Sequence, residues 1–387
     1  MPSYCMSMLS RRQPFQARMV RSLGILGIFC VTLTACGGAP RVAEPLPEQG
    51  VAELLASFER MPSGVAHWQG RTFIAFPRWV EEGAYTVAEW TEDGLRAFPG
   101  DDANDMAAGP SALHSVNGLH VDRHGRLWML DNGRVNFGPA QAGAPKVVVW
   151  DLARDEEAFR IVFSDTEAPA AGSFVNDLAV DEDHGFAYVT ESGIGGTPAL
   201  LVIELATGVV RRVLEAHPSV LPDPDSALVV DGAAVSVSLG GVVQPWRVSV
   251  NAIALSPDAS ELYYGPTTGE RLHAINTMAL RDAALSDDAR ASAVRVAGPK
   301  PYSDGMAVDA GGHWVFTDLE RGAIVHGDSD GDVRVCTGEG MSFPVAVEPV
   351  EGGVLATSAP FHEMPLLHAG EDKRDAVFGL WMCHEEP

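Results

Sequence analysis

Basic residues are scarce in this chain. Its 387 residues include 27 Lys and Arg against 52 Asp and Glu, which gives a formal net charge of −25 at pH 7. Nucleic acids and anionic lipid surfaces carry dense negative charge and would repel so acidic a protein. We therefore expect no nucleic-acid partner, and a small-molecule ligand that is cationic or neutral.

The sequence also lacks the short motifs of several enzyme classes. It has no glycine-rich phosphate loop and no dinucleotide fingerprint, so we expect no nucleotide cofactor. Its histidines form no HExxH pair and its cysteines form no cluster, which excludes the common zinc motifs. Instead, 40 Gly and 26 Pro separate short runs of aromatic and β-branched residues. This pattern predicts an all-β protein whose strands are joined by tight turns.

A marked apolar run occurs at the N-terminus. Residues 23–34 follow four arginines and are too short to span a bilayer comfortably. The run leads into Leu-Thr-Ala-Cys ending at Cys36, which resembles a bacterial lipobox. This resemblance implies a signal peptide over residues 1–35, lipidation of Cys36 and a Pro-rich linker over residues 36–50. An ordinary signal peptide or an uncleaved anchor is the alternative.

These features predict an extracytoplasmic protein whose only membrane contact is its lipid anchor. In a Gram-negative cell the glycine after Cys36 favours the outer membrane. Cys5 and Cys30 fall in the expected signal, which leaves Cys336 and Cys383 as an even pair. In an oxidising compartment we expect these two to form a disulfide, with two unpaired thiols as the alternative.

Four segments of the chain repeat one pattern. They are SVNGLHVDRHGRLWMLD from Ser115, FVNDLAVDEDHGFAYVTES from Phe174, SVNAIALSPDASELYYG from Ser249 and YSDGMAVDAGGHWVFTD from Tyr302. Weaker copies begin at Ser63 and Phe343. Six units at this spacing predict a six-bladed β-propeller over residues 51–387, with a linear solenoid as the alternative.

Each of the four strong repeats has a polar residue at the same position, namely Asn117, Asn176, Asn251 or Asp304. If the repeats surround an axis, these four side chains line one ligand site at the mouth of a channel. An acid five residues later begins the following turn in three of the repeats, where an Asp side chain caps the backbone. These acids are Asp122, Asp181 and Asp309.

Two less regular stretches interrupt the repeats. Residues 274–294 have helical character and predict a short helical insertion. Residues 228–237 are apolar and predict an additional strand of the neighbouring blade.

Several segments resemble the major royal jelly protein and yellow family. They are GRTFIAFPRW, GRLWMLDNG with PKVVVWDL after it, and SDGMAVD. The resemblance covers nearly all of the chain after the signal and implies a six-bladed propeller. Insect members associated with dopachrome conversion imply, as one alternative, an isomerase of quinone-type substrates. More distantly, the repeats are similar to the gluconolactonase and senescence-marker-protein group of calcium-dependent lactonases.

The lactonase resemblance implies a Ca²⁺ or other divalent-cation site. Asn176, Asn251 and Asp304 match ligand positions of that group, and Asn117 would line the pocket. The first-repeat Glu of that group is not matched, because Ser63 stands there and Glu59 is displaced. One carboxylate and two amides make a weak cation site.

Two chemical roles and two classes of protein stay open. Asp304 is either a metal ligand or a catalytic general base. The alternative reading of all four polar residues is that they hydrogen-bond the backbone at each strand entrance. We expect a monomeric propeller that is either a lactonase-type hydrolase or a non-catalytic protein that binds a ligand or a protein partner.

Overall fold

The computed structural model describes residues 50–80, 83–327, 333–375 and 377–384. The expected signal peptide, the lipid site at Cys36 and nearly all of the linker lie outside these residues. Strands dominate the described part, and none of its helices is long and apolar enough to cross a membrane. The helices are α1 (Asp101–Asn104), α2 (Thr277–Arg281) and α3 (Asp287–Ser292), with 3₁₀ turns at Met106–Ser111, Phe361–Glu363 and Pro365–Leu367.

The strands form antiparallel sheets that follow the chain. The described chain begins with β1 (Gly50–Phe58), and sheet I follows with β2 (Val65–Trp68), β3 (Arg71–Ala75), β4 (Val87–Thr91) and β5 (Gly94–Ala97). Sheet II contains β6 (Val116–Val121), β7 (Arg126–Asp131), β8 (Lys146–Asp151) and β9 (Glu156–Val162). Sheet III contains β10 (Val175–Asp181), β11 (Phe186–Glu191), β12 (Ala199–Glu204) and β13 (Val209–Val213). Two small ribbons follow, β14 (Val229–Val230) with β15 (Ala233–Ala234) and β16 (Ser236–Leu239) with β17 (Val242–Pro245).

The C-terminal half continues this order. Sheet IV contains β18 (Val250–Leu255), β19 (Glu261–Pro266), β20 (Arg271–Asn276) and β21 (Arg295–Pro299); sheet V contains β22 (Met306–Val308), β23 (Trp314–Asp318), β24 (Ala323–Gly327) and β25 (Val333–Thr337). Sheet VI contains β26 (Pro344–Val350), β27 (Gly353–Ser358), β28 (Phe378–His384) and the N-terminal strand β1. Two parallel residue pairs between β1 and β25 join sheets V and VI into eight strands.

The structure corrects one prediction and agrees with another. Residues 228–237 belong to the separate ribbons, not to a blade, because their short strands pair only locally. The helical stretch predicted at residues 274–294 contains α2 and α3, which lie between β20 and β21.

The first strands of the sheets contact one another in a closed cycle. Strand β2 contacts β6, and contacts continue through β10, β18, β22 and β26 back to β2. Glycines allow this close approach at two places. A Cβ on Gly64 would lie 2.6 Å from the Asn117 carbonyl oxygen, and one on Gly305 would lie 2.5 Å from the Val345 carbonyl oxygen. Larger residues at these positions would push neighbouring sheets apart.

Apolar side chains fill the space between consecutive sheets. Trp128 and Val149 of sheet II pack against Leu178 and Leu201 of sheet III in one buried cluster. Each fully buried Leu or Val contributes about 1.5–3 kcal/mol to folding, so several such layers hold the ring together.

The turns between first and second strands are capped by the predicted acids. Asp122 accepts hydrogen bonds from the backbone N–H groups of His124 and Arg126, at 2.9 and 3.0 Å. Asp181 accepts one from His184 at 3.1 Å, and Asp309 accepts one from His313 at 2.8 Å. These caps fix the direction of each first strand.

A disulfide bond joins Cys336 of β25 to Cys383 of β28. Both cysteines lie beside β1, since Gly50 pairs with Cys336 and Ala52 pairs with Cys383. The bond therefore holds the chain's C-terminal strand next to the strands that complete sheets V and VI.

We expect replacement of both cysteines, Cys336→Ser with Cys383→Ser, to lower the free energy of unfolding by about 2–4 kcal/mol. The bond closes a loop of 47 residues, and its loss gives the unfolded chain more freedom. Urea unfolding measures the change. The reduced wild type serves as the control and should match the variant, whereas a variant as stable as the oxidised wild type would contradict the prediction.

Candidate functional site

A cavity of about 660 Å³ runs along the first strands of all six sheets. The described residues that line it include no Lys or Arg. At the end where the first strands begin, its polar lining consists of Ser63, Asn117, Asn176, Asp177, Asn251 and Asp304. Near the other end it includes Asp309, His326, Glu348 and Glu351. The cavity is therefore acidic along its length.

The structure brings the four predicted polar residues to the same end of this cavity but gives them different partners. Asn132 donates from Nδ2 to Oδ1 of Asn117 at 2.9 Å, and Asn117 donates from Nδ2 to Oδ1 of Asn176 at 3.0 Å. Asn176 donates to Oγ of Ser192 at 3.2 Å, and Ser192 donates to the Val250 carbonyl at 2.6 Å. This hydrogen-bonded chain connects sheets II, III and IV.

The other two predicted residues form a separate pair. Asn251 donates from Nδ2 to Oδ1 of Asp304 at 2.6 Å, which joins sheets IV and V. The backbone N–H of Asp304 donates to Oγ1 of Thr317 at 2.9 Å. The predicted set is thus divided into an amide chain and an amide–carboxyl pair.

The residues at the equivalent positions in sheets I and VI have uncharged side chains. Ser63 donates from Oγ to the Asn117 carbonyl at 3.1 Å. In sheet VI the equivalent residue is Val345, not Phe343, because Pro344 begins the pairing with β27 as Val116 begins the pairing with β7. Glu59 is exposed and does not line the cavity.

Two carboxyl groups that the sequence reasoning missed face the same cavity. Asp177 follows Asn176 on β10 and accepts a hydrogen bond from the Leu178 N–H at 2.8 Å. Burial raises the pKa of Asp177 to about 8, and the nearby charge of Asp304 adds to the shift. Burial also raises the pKa of Glu348 to about 8, with a further contribution from Asp177. Acids inside otherwise apolar first strands were the available sequence signal.

The carboxyl of Asp304 is electrostatically linked to both Asp177 and a buried lysine. Burial raises the pKa of Asp304 to about 7, although the hydrogen bond from Asn251 and the charge of Lys300 oppose the shift. Burial lowers the pKa of Lys300 to about 7, and its Nζ donates to the Pro301 carbonyl at 3.0 Å. The pKa values of this carboxyl and this ammonium group are therefore shifted towards each other.

An apolar cluster lies at the same end of the ring as the predicted residues. It includes Met61 and Phe343, which directly precede the segments of Ser63 and β26, together with Trp79 and Leu228. Asn117 and Asn251 are only 1% and 4% exposed. These two amides therefore lie deeper than the open mouth expected from the sequence, whereas Asn176 and Asp304 are partly exposed.

The family model described as Major royal jelly protein matches residues 114–334, which is more than half of the chain. The chain belongs to the major royal jelly protein family. This confirms the resemblance found in the sequence. Protein yellow of Drosophila subobscura is 25% identical over 337 residues, which cover 81% of this chain and 51% of that protein. The chain spans about half the length of the curated relatives it matches.

Solved structures with a similar fold come from the gluconolactonase group and beyond. A gluconolactonase from Xanthomonas campestris aligns with a TM-score of 0.52 and 18% identity, covering 86% of this chain and 89% of that one. A luciferin-regenerating enzyme aligns with a TM-score of 0.53 and 12% identity, covering 87% and 96%. These likenesses support an all-β, propeller-like fold for this family member.

We expect the three buried carboxyls of the cavity to make a contribution to the stability of the metal-free protein that falls as the pH rises from about 4 to about 8. The folded-state pKa values of Asp177, Asp304 and Glu348 lie above those of an unfolded chain, so the folded state holds protons that the unfolded state has released. That stabilisation is complete at low pH and is lost as the pH approaches the folded-state values. Urea unfolding at pH 5 and pH 7, with a chelator present, measures the change.

The Asp177→Asn variant should show a smaller pH-dependent loss than the wild type. Asp93→Asn is the matched control, because Asp93 is an exposed turn residue outside the cavity. An equal pH dependence in the Asp177→Asn variant and the wild type would contradict the assignment.

We also expect Asn117→Ala to lower the free energy of unfolding by about 1–3 kcal/mol, with or without added cations. The change removes the partner of both the Asn132 amide and the Asn176 carbonyl in a buried setting. Gln141→Ala, at an exposed amide, is the control for urea unfolding. A loss no larger than that of the control would show that the amide chain has no structural role.

Proposed function

We propose that this protein is an extracytoplasmic, lipid-anchored six-bladed β-propeller that binds a small molecule with a divalent cation, as a lactonase-type hydrolase. One observation carries the proposal. Three carboxyl groups with raised pKa values, Asp177, Asp304 and Glu348, face one cavity whose described lining has no basic side chain. A cation would relieve their mutual repulsion, so the cavity favours one.

The architecture supports the blade count and the location. Six four-stranded sheets with first strands in a closed cycle are what a six-bladed propeller requires. The disulfide between Cys336 and Cys383 suits an oxidising compartment. The signal peptide over residues 1–35, the lipid on Cys36 and the linker over residues 36–50 remain part of the proposal, with the propeller over residues 51–387.

The oxygen donors at the end of the cavity where the first strands begin fit a hard cation. Ca²⁺ prefers carboxylate and amide oxygens, and Asp304, Asp177 and Asn251 offer them. Beside Asp304, Asp177 supplies a second carboxylate, in place of the first-repeat Glu of the lactonase group that this chain lacks. The hydrogen bond from Asn251 Nδ2 orients its amide beside Asp304. Asn176 already accepts a hydrogen bond from Asn117, so it would contribute only through its second lone pair.

The same residues suit hydrolysis of a neutral ester or lactone. A bound divalent cation would polarise the carbonyl and lower the pKa of a bound water. Without a cation Asp304 and Asp177 have pKa values of about 7 and 8, and a bound cation would lower both, so that each is ionised near neutral pH. The presence of two carboxyl groups also separates two roles, because one can hold the cation while the other accepts the proton of the bound water. Leu119 and Ile253 supply apolar wall for the carbon skeleton.

Ligand binding without catalysis is the second candidate. The amide chain through Asn117 and Asn176 is occupied by contacts within the protein, which reduces the number of groups free to position a substrate. An acidic cavity without a bound metal would then hold an organic cation. A yellow-like isomerase of quinone-type substrates is a further outcome that the same experiment distinguishes.

The experiment measures the melting temperature with and without Ca²⁺ or Mg²⁺, at pH 5 and pH 8. Ca²⁺ should raise the melting temperature of the wild type and of the Asp93→Asn control. The rise should be larger at pH 8, where the carboxyls are ionised, because a ligand of the folded state stabilises it. Asp304→Asn and Asp177→Asn should lose most of this response.

Activity assays on the same samples separate the candidates. Cation-dependent hydrolysis of five- or six-membered lactones supports the hydrolase. A cation response without hydrolysis supports the binding protein, and conversion of a quinone-type substrate supports the isomerase. If neither cation changes the melting temperature of the wild type at pH 8, the cation site is wrong.

A further inference from the structure

Two histidines and an aspartate meet at the end of the cavity opposite the amide chain. Asp309 Oδ2 lies 3.0 Å from His313 Nδ1 and 2.8 Å from His326 Nε2. The three candidate ligand atoms all lie within 4.8 Å of one another. The two imidazole rings approach edge to face, with their centroids 5.5 Å apart. No short sequence motif announces this group, because His326 is on a different strand.

The fold holds each of these side chains in place. Asp309 uses Oδ1 to cap the turn through the His313 N–H, which leaves Oδ2 directed at the two rings. His313 directly precedes β23, and His326 on β24 pairs with Val315. At Gly311 a Cβ would lie 2.8 Å from the His313 ring, so glycine is what allows this ring to fold over the turn.

The donor set is that of a borderline divalent metal. Two imidazole nitrogens and one carboxylate oxygen are ligands of zinc sites that keep a position open for water or substrate. Neighbouring ligand atoms of a tetrahedral zinc ion are separated by roughly 3.3 Å. The distances from Asp309 Oδ2 to the two histidine nitrogens, 2.8 and 3.0 Å, would therefore have to lengthen by only a few tenths of an ångström.

The surroundings suit metal entry and a further ligand. The side chains of Asp309 and His326 are each 18% exposed, whereas that of His313 is 47% exposed. Asp309 and His326 line the cavity, and the exposed Glu351 lies at the same end. Although burial raises it, hydrogen bonds from His313 and His326 lower the pKa of Asp309 to about 2, so the carboxylate is ionised across the neutral range.

We propose that Asp309, His313 and His326 form a binding site for a zinc-like divalent transition metal, with an open coordination position directed at the central cavity. This site is distinct from the proposed calcium site. Asp304 and Asp309 are five residues apart on one extended segment, which corresponds to roughly 16 Å. Its nitrogen ligands also select a different class of metal from the oxygen donors around Asp304.

The test titrates Zn²⁺ into the chelator-treated, dialysed full chain by isothermal titration calorimetry. The wild type should bind Zn²⁺ with a saturable affinity that His313→Gln and His326→Gln each weaken at least tenfold. His184→Gln is the matched control. His184 contacts Asp181 at 2.8 Å in the equivalent turn of sheet III and is 45% exposed, but no second histidine shares that aspartate in the described structure.

Two further measurements keep the result unambiguous. Co²⁺ added to the wild type should give visible absorption bands of a low-symmetry nitrogen–oxygen site, and His326→Gln should lose them while retaining the wild-type circular dichroism spectrum. Asp304→Asn should leave Zn²⁺ binding unchanged, so failure of the calcium site and failure of this site are separable. Zn²⁺ affinity unchanged in His326→Gln, or no saturable binding, would show that these contacts only cap the turn.

Discussion

The antiparallel pairing of β1 with β28 is the interaction on which the rest of the structure depends. It runs from Ala52 opposite Cys383 to Phe58 opposite Phe378, with a bulge between Leu54 and Ala56. The first strand of the described chain thereby completes the last sheet. Without β1, sheet VI would keep three strands and lose its outer edge partner, and a linear array of sheets would expose its two terminal faces. The disulfide and the short parallel contact with β25 hold β1 on both sides.

Closure of the ring determines the electrostatics of the cavity. Because β26 contacts β2, the six first strands surround a common space, and any carboxyl that points inward loses much of its water. Asp177, Asp304 and Glu348 come from sheets III, V and VI, so only closure brings their charges within range of one another. Raised pKa values at these positions are therefore a consequence of the architecture. At neutral pH a cation or a proton must balance their charges.

The repeat pattern predicted much of this, because residues at the same position of a repeat must face the same axis. Asn117, Asn176, Asn251 and Asp304 do lie together, and the turn acids cap the turns. Their hydrogen-bond partners were not predicted, although Ser192 ends one repeat segment and Asn132 directly follows another. Asp177 and Glu348 escaped notice because the bulge after Val175 alters strict alternation, so an inward carboxyl does not stand out in the sequence. A separate bulge in sheet VI, between Pro344 and Ala346, contains Val345, which occupies the sixth position instead of Phe343.

The pairing of His313 with His326 shows what a linear pattern cannot contain. The twelve intervening residues include a tight turn and all of β23, and only the register of Val315 opposite His326 brings the rings together. Asp309 was correctly predicted to cap its turn, yet a carboxylate has two oxygens, and capping uses one of them. The second oxygen is where this turn differs from its equivalent at Asp122, which directs Oδ2 to the Arg126 and Trp128 side chains. A structural role and a ligand role are therefore compatible at one residue. Asp304 and Asp309 flank the short strand β22, so this segment places an oxygen-donor group near one end of the cavity and a nitrogen-donor group near the other.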